Sequence, residues 1–478
     1  MPSQKRRRGI TIPEASEKPV QKNLRVDLLA MVKLLLAHLT PVLCATIFKQ
    51  HRGKSRDRKW TFYCVNLFWA AMIIRHPPGI EHGIHETRKG RGRDKLWPRV
   101  RATPRAFLKK AHALHHELFR VLYEAFVVSI MPKAPLTYAS WMAPLQRHFT
   151  DVFVVDGSRL DAVAHGIDIL RQVRAVVLPG CLLVYYDLFR GIPRRVFFYP
   201  DAAKAEMTRA IETLGWIPKG ALLVGDRLYS SVKLFALLAA CQVYGVFRLK
   251  RGLNVRRIKV LSQHRGHHEF VEDAIVEVGS GQNGIAKQRL RRIRYRGQGV
   301  RIYILTGVLD PKKLSLEQIL ALYRLRWSIE RMFLDLKETL DLHNLYSSHP
   351  NVVGQQVYAV VMVYTAFRIA QAKIAAKAKV LPEQISPAKL FPKLAQAAND
   401  YCVAQLWVIE YKRLNPRSRA RLPSCRKLPS AYAELDSILV RHRNGPRRQP
   451  RFCASRKRWK SLAHIRGGPS LLRSISDG

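Results

Sequence analysis

The chain has 478 residues with 47% hydrophobic content, enough for two to four domains and a large core. It carries 83 Lys and Arg against 34 Asp and Glu, a formal excess of +49. Such an excess repels itself unless a polyanion is present, which argues against a carbohydrate substrate and for nucleic acid, with a membrane surface the weaker alternative.

Seven cysteines (Cys44, Cys64, Cys181, Cys241, Cys402, Cys425, Cys453) are scattered and make no CxxC pair. Neither a disulfide framework nor a zinc ribbon is suggested, and a reducing cytoplasm is the expected compartment. The start, MPSQKRRRGITIPEASEKPVQ, lacks the apolar core of a signal peptide. Stretches 27–46 and 357–367 are interrupted by charge or too short to cross a bilayer, so no membrane association is expected.

Residues 1–23 are basic and polar and read as a disordered tail, in which Lys5 to Arg8 suit phosphate contact as well as plain solvation. Residues 24–145 read as helical. Helical spacing is clearest at 25–38, 59–75 and 104–130, the last opening with Thr103-Pro104 as N-cap and first-turn proline. The intervening 76–101 is loop-like and dense in Arg and Lys. A cation-rich helical module suits DNA-end binding; with no helix-turn-helix to assign, an ordinary helical subdomain is the default.

From residue 146 the pattern changes. Val152 to Val155 is a short apolar run ending at Asp156-Gly157, the signature of a buried strand delivering an acid at its end. Strands are expected at 180–188 and 195–199, then a helix at 202–214. Ala221 to Val224 repeats the device, ending at Gly225-Asp226, followed by a helix at 230–241 and a strand at 243–249. This alternation predicts an α/β domain over 146–380, a sheet covered by helices. An antiparallel β subdomain of about four strands is expected as an insertion at about 252–310, with Arg and Lys at many polar positions. A buried helix is expected at 352–380. The 381–478 segment reads as a peripheral helix to 412 and then a basic Arg- and Pro-rich tail suited to phosphate contact.

Three acids stand out by position: Asp156, Asp226 and Glu330. Magnesium takes hard oxygen ligands from a few carboxylates plus substrate phosphate, and two such ions can activate a water or 3′-hydroxyl and stabilise a leaving oxygen. Singly, each acid has a plainer explanation: a turn or cap residue for the aspartates, half of an intrahelical ion pair for the glutamate. Asp187 competes for either aspartate role. What shifts the balance is the stretch 315–342. Leu322, Leu325, Ile329, Met332, Phe333, Leu336 and Leu340 form one apolar stripe, and Tyr323, Arg326, Glu330 and Lys337, spaced 3, 4 and 7 apart, lie beside it on a continuous helix. Leu316, Ile319 and Leu320 follow another phase, and Ser315 with Gln318 suits a capping box, so a kink is expected near Tyr323 to Arg326.

The spacing Y-x2-R-x3-E-x6-K over Tyr323, Arg326, Glu330 and Lys337 resembles the YREK signature of bacterial insertion-sequence transposases of the IS-four type. VFVVDGSRL around Asp156 and LLVGDRLYSS around Asp226 resemble that family's first and second aspartates, and the resemblance covers roughly 104–375. It implies an RNase H-like core with Asp156, Asp226 and Glu330 as catalytic metal ligands for two Mg2+ ions (Mn2+ as substitute). Tyr323, Arg326 and Lys337 would contact DNA phosphates at the transposon end. It also implies double-stranded DNA as partner, both terminal inverted repeats and target, and a homodimer on paired ends. The family's aromatic for a flipped base has no Trp counterpart in the insertion, leaving Phe270, Tyr295 or Tyr303. Trp327 is expected to pack on the core rather than stack on a base.

Other candidates carry less. His112, His115 and His116 beside Glu117, and His264, His267 and His268 beside Glu269, read as surface or phosphate-contacting histidines rather than zinc ligands. Ser158 and Ser230 have no base near them in sequence. The rival readings are a catalytically silent DNA-binding descendant and a stand-alone nuclease of the same fold; a paired-carboxylate glycosidase is disfavoured by the charge.

Overall fold

In the computed structural model the described residues are 25–89, 96–138, 140–160, 180–202, 204–266, 269–281, 286–297, 300–414, 432–434, 437–438 and 440. The tail at 1–23, His267, His268 and nearly all of the basic segment after 414 lie outside them.

The chain opens with a short strand β1 (Arg25–Asp27) and then six helices: α1 (Ala30–His38), α2 (Pro41–His51), α3 (Phe62–Arg75), α4 (Ile80–Lys89), α5 (Pro104–Ala113) and α6 (His116–Ile130). Threonines start three of them. The hydroxyls of Thr40, Thr61 and Thr103 accept from the backbone N–H of Leu43, Cys64 and Ala106, and Pro41 and Pro104 fill first-turn positions where no N–H is needed. Two expectations are corrected. The cation-rich 76–101 contains helix α4, and 104–130 is two helices, interrupted at Leu114 with His115 capping the second.

Strands β2 (Val152–Arg159), β3 (Cys181–Asp187) and β4 (Ile192–Tyr199) form an antiparallel meander. After helix α7 (Glu206–Glu212), strand β5 (Leu222–Gly225) pairs parallel with β2. After helix α8 (Val232–Ala240), strand β6 (Tyr244–Arg248) pairs parallel with β5. The four strands expected as a separate subdomain exist as β7 (Val255–Arg265), β8 (Glu269–Val278), β9 (Gln288–Gly297) and β10 (Val300–Thr306). They are not separate. β10 pairs with β6 through Ile304 opposite Arg248, so one mixed sheet runs β4-β3-β2-β5-β6-β10-β9-β8-β7.

Because successive strand residues point to opposite faces, the sheet feeds two cores. Val152, Val154, Leu222 and Val224 face one, together with the N-terminal helices. Phe153, Val155 and Leu223 face the other, with residues of α7 and α8. The first face is covered by α9 (Leu316–Leu325), α10 (Trp327–Leu334), a π-helical turn (Asp335–Thr339), α11 (Pro350–Ala378) and α12 (Pro387–Leu414). β11 (Tyr432–Glu434) returns to pair with β1. The same apolar core runs from Leu28 to Ile438, without interruption at the boundary expected near residue 145.

Helix α11 is the centre of that face and touches α1, α3, α5, α6 and β4. It is the one helix among the described residues long and apolar enough to cross a membrane, yet 89% of its apolar window is buried inside the protein. Its polar residues are spent internally. Arg368 donates to Gly191 O (3.0 Å) and Gln371 Oε1 (2.6 Å), and Gln355 donates to Ala111 O and Leu114 O.

Candidate active site

Strand β2 hydrogen-bonds in register with β5, Val152 opposite Leu222 and Val154 opposite Val224. Two residues on, at the same step, stand Asp156 and Asp226. Alternation puts both on the face that Val154 and Val224 share, which is the face covered by α9 and α10. Glu330 lies on α10, whose Ile329, Met332 and Phe333 are buried against that core. The fold thus aims two strand-end aspartates at the helix that carries the glutamate.

Asp156 is half-buried, and its Oδ1 accepts from Gly157 N–H (3.0 Å). The strand does not stop there as the apolar run suggests; it continues to Arg159. Asp226 caps the 3-10 turn Arg227–Tyr229, its Oδ1 accepting from Leu228 N–H (2.6 Å). Between Asp156 and Glu330 stands Arg326, whose Nη1 lies 2.6 Å from Glu330 Oε1 and 3.9 Å from Asp156 Oδ2. Burial, the Glu206 carboxylate and that of Asp226 push the Asp156 carboxyl up to about 7, against the opposing pull of Arg326.

The sequence reading places the three acids at shared metal-holding distance. Among the described residues no group of three or more His, Cys, Asp or Glu is so arranged. The Arg326 guanidinium stands between Glu330 and Asp156 as their counter-charge. The donor set fits a hard divalent cation, being carboxylate oxygens, one of them pushed up by burial and then by its like-charged neighbours.

The expected kink is present. Ser315 and Gln318 form the capping box that starts α9, which ends at Leu325; Arg326 is a turn residue, and α10 begins at Trp327. The break changes what the four signature residues do. Tyr323 is 5% exposed and lies near Arg326, Arg248 and Asp226, with burial pushing its phenol up. Arg326 is 9% exposed, its guanidinium over the rings of Tyr323 and Trp327, and its Nε has no hydrogen-bond partner among the described residues. Lys337, in the π-helical turn, donates to Arg159 O at the end of β2 (3.2 Å). Trp327 does not pack on the core: it is 41% exposed, turned out by the break before it.

Asp187 is no competitor. It pairs with Phe153, at the opposite end of β2 from Asp156, and is fully buried capping its own turn through Phe189 N–H, Arg190 N–H and the Arg190 side chain. Ser230 is likewise fully buried. Among the histidines, His116 is buried against Phe198 and bonded to Asn351, while His112 stacks on His349. In the β extension, Arg257, Arg292 and Arg294 all converge on Glu272, so those cations serve the sheet. Arg294 also lies over the rings of Phe270 and Tyr303, two of the three aromatics named for base contact.

One acid beside these residues escapes sequence reasoning. Glu206, in the first turn of α7, accepts from the Tyr229 hydroxyl and presses against Gly157 from the other sheet face. Burial raises its carboxyl above the usual range, with the Asp226 charge adding to it against the Tyr229 hydrogen bond. An acid in a first helical turn is ordinarily a partner of the helix dipole, and nothing in the local sequence sets this one apart.

Residues 179–366 match the model of the transposase DDE domain family, a span that includes Asp226, Glu330, Tyr323, Arg326 and Lys337 but stops short of Asp156. A protein of Sinorhizobium fredii named "Putative transposase y4zB" is 31% identical over 202 residues, which are 38% of this chain and 54% of that protein. The chain thus spans about half the length of this relative. The two matches support a DDE transposase. Among solved structures, the piggyBac transposase synaptic complex with hairpin DNA is similar at a TM-score of 0.36 and 12% identity, over 91% of this chain and 92% of that one, a likeness too low to carry an argument.

Proposed function

We propose that the chain is a DNA transposase of the IS-four type with an RNase H-like core, which cleaves at the ends of a mobile element and joins them to target DNA by two-metal phosphoryl transfer. The observation that carries the reading is that Asp156 and Asp226 each stand two residues beyond Val154 opposite Val224, the last pair of the parallel strands β2 and β5, on the side of the helix of Glu330. Asp156, Asp226 and Glu330 would hold the Mg2+ or Mn2+ ions, which when bound supply activation of the attacking oxygen and stabilisation of the leaving one.

The protein's own groups then have defined work. Arg326 neutralises Glu330 and Asp156 until a DNA phosphate offers the guanidinium a stronger partner, which frees both carboxylates. Lys337 and Tyr323 flank it on the phosphate path. The excess of +49 holds the duplex by counterion release, and a homodimer on paired ends is part of the same proposal, as is a nucleoid-associated bacterial location. Lys337→Ala is expected to weaken DNA binding evenly across sequences and to reduce the slope of log K against log salt by about one, read by fluorescence anisotropy over a salt series.

Strand transfer tests the reading. The substrate is duplex DNA copied from the sequence flanking the gene, with a supercoiled plasmid as target. Joined products are expected. Cleavage without joining would assign a stand-alone nuclease, and binding without cleavage a silent descendant; either result overturns the proposal.

A further inference from the structure

We propose that Glu206 is a positioning residue of this site, its carboxylate bracing the stretch of β2 that carries Asp156 to the turn that carries Asp226. The proposal rests on the DDE reading above. The paired register of β2 and β5 ends at Val154 opposite Val224. Asp156, still paired with Val184 of β3, and Asp226 therefore lie beyond the last β2–β5 pair, which leaves the link between them to side chains.

The sequence makes room for that brace at two glycines. A Cβ at Gly157 would stand 2.5 Å from the Cδ and Oε2 of Glu206, and a Cβ at Gly225 would stand 2.9 Å from Cδ2 of Tyr229. Each glycine adjoins one of the aspartates, and each faces the side of the sheet away from Glu330. Into this space reach Glu206, from α7, and Tyr229, the last residue of the turn that Asp226 caps. The Tyr229 hydroxyl donates to Glu206 Oε1, and the tyrosine is fully buried, so its ring has no other place to go. The brace thus runs from the residue after Asp156, through the Glu206 carboxylate, to the residue three after Asp226. Groups that orient metal-binding side chains in this way commonly change metal affinity when removed.

The test is Mn2+ binding to the full-length chain without DNA, counted as free Mn2+ by electron paramagnetic resonance, with thermal unfolding in parallel. The proteins are the wild type, Glu206→Gln, Tyr229→Phe and Asp156→Asn. Glu206→Gln is expected to weaken Mn2+ binding about tenfold or more, and Tyr229→Phe in the same direction, with unfolding midpoints little changed. Tyr229→Phe keeps the charge of Glu206 and removes only its tether, so it carries the test if Glu206→Gln fails to fold. If Asp156→Asn loses Mn2+ while Glu206→Gln and Tyr229→Phe bind as the wild type does, the brace is wrong and the DDE reading stands. A lowered unfolding midpoint with unchanged Mn2+ affinity overturns it equally. Unchanged affinity in Asp156→Asn overturns both.

Discussion

Asp156→Asn is expected to stabilise the metal-free protein at pH 8 while removing its metal binding and its catalysis. The carboxyl titrates near 7 in the folded chain against 3.8 ordinarily. Between those values the folded state holds a proton that the unfolded state has released, so stability falls as pH rises and levels off above about 7. At 1.36 kcal/mol per pKa unit this is a handicap of about 4 kcal/mol at pH 8, reduced by whatever the neighbouring groups can relax. The amide carries no such handicap. Melting curves in chelator should coincide for the two proteins near pH 4 and separate above pH 7, with the variant higher. Equal melting at pH 8 would mean that Asp156 is not held among like charges. A divalent cation must displace the same proton, so Mn2+ affinity of the wild type should rise with pH up to about 7 and then flatten.

Asp273→Ala is expected to cost about 3–5 kcal/mol, because it leaves the Arg291 guanidinium buried without its partner. Arg291 is fully buried, with Nε and Nη2 at 2.8 and 2.5 Å from the two oxygens of Asp273. Its Nη1 donates to Leu314 O (2.6 Å), immediately before the cap of α9. The pair therefore fastens the β extension to the start of the helical segment that leads to Glu330. A shape-matched apolar replacement of both residues, Asp273→Leu with Arg291→Met, should recover most of the loss in chemical denaturation, since the pair itself contributes little net stability. If the single variant unfolds at the wild-type denaturant concentration, the pair is not the fastening described.

Much of the site was legible in the sequence, and the reasons are local. Short apolar runs leading to Asp156 and Asp226 mark buried strands, and the phase change after Leu320 with the Ser315 cap marks the kink. What was not legible depends on distant partners. The pairing of β10 with β6, which merges the expected insertion into the main sheet, is set across the whole hairpin array. Trp327 reads as core by composition, and only the turn at Arg326 sends it outward. Asp187 ends an apolar run just as Asp156 does, but on an antiparallel strand, which carries it to the opposite end of the sheet. The spacing of Arg326 and Glu330 suggests an intrahelical pair; that the same guanidinium also approaches Asp156 follows from packing alone.

The central claim is that Asp156, Asp226 and Glu330 act together on DNA. The most direct measurement is Mg2+-dependent cleavage of the gene's flanking duplex by the wild type and by Asp156→Ala, Asp226→Ala and Glu330→Ala, each checked for folding and for duplex binding. All three variants should bind DNA yet cleave at least about a thousandfold more slowly, as expected when groups that act as one unit are removed singly. Cleavage at the wild-type rate by any one of them would contradict the assignment.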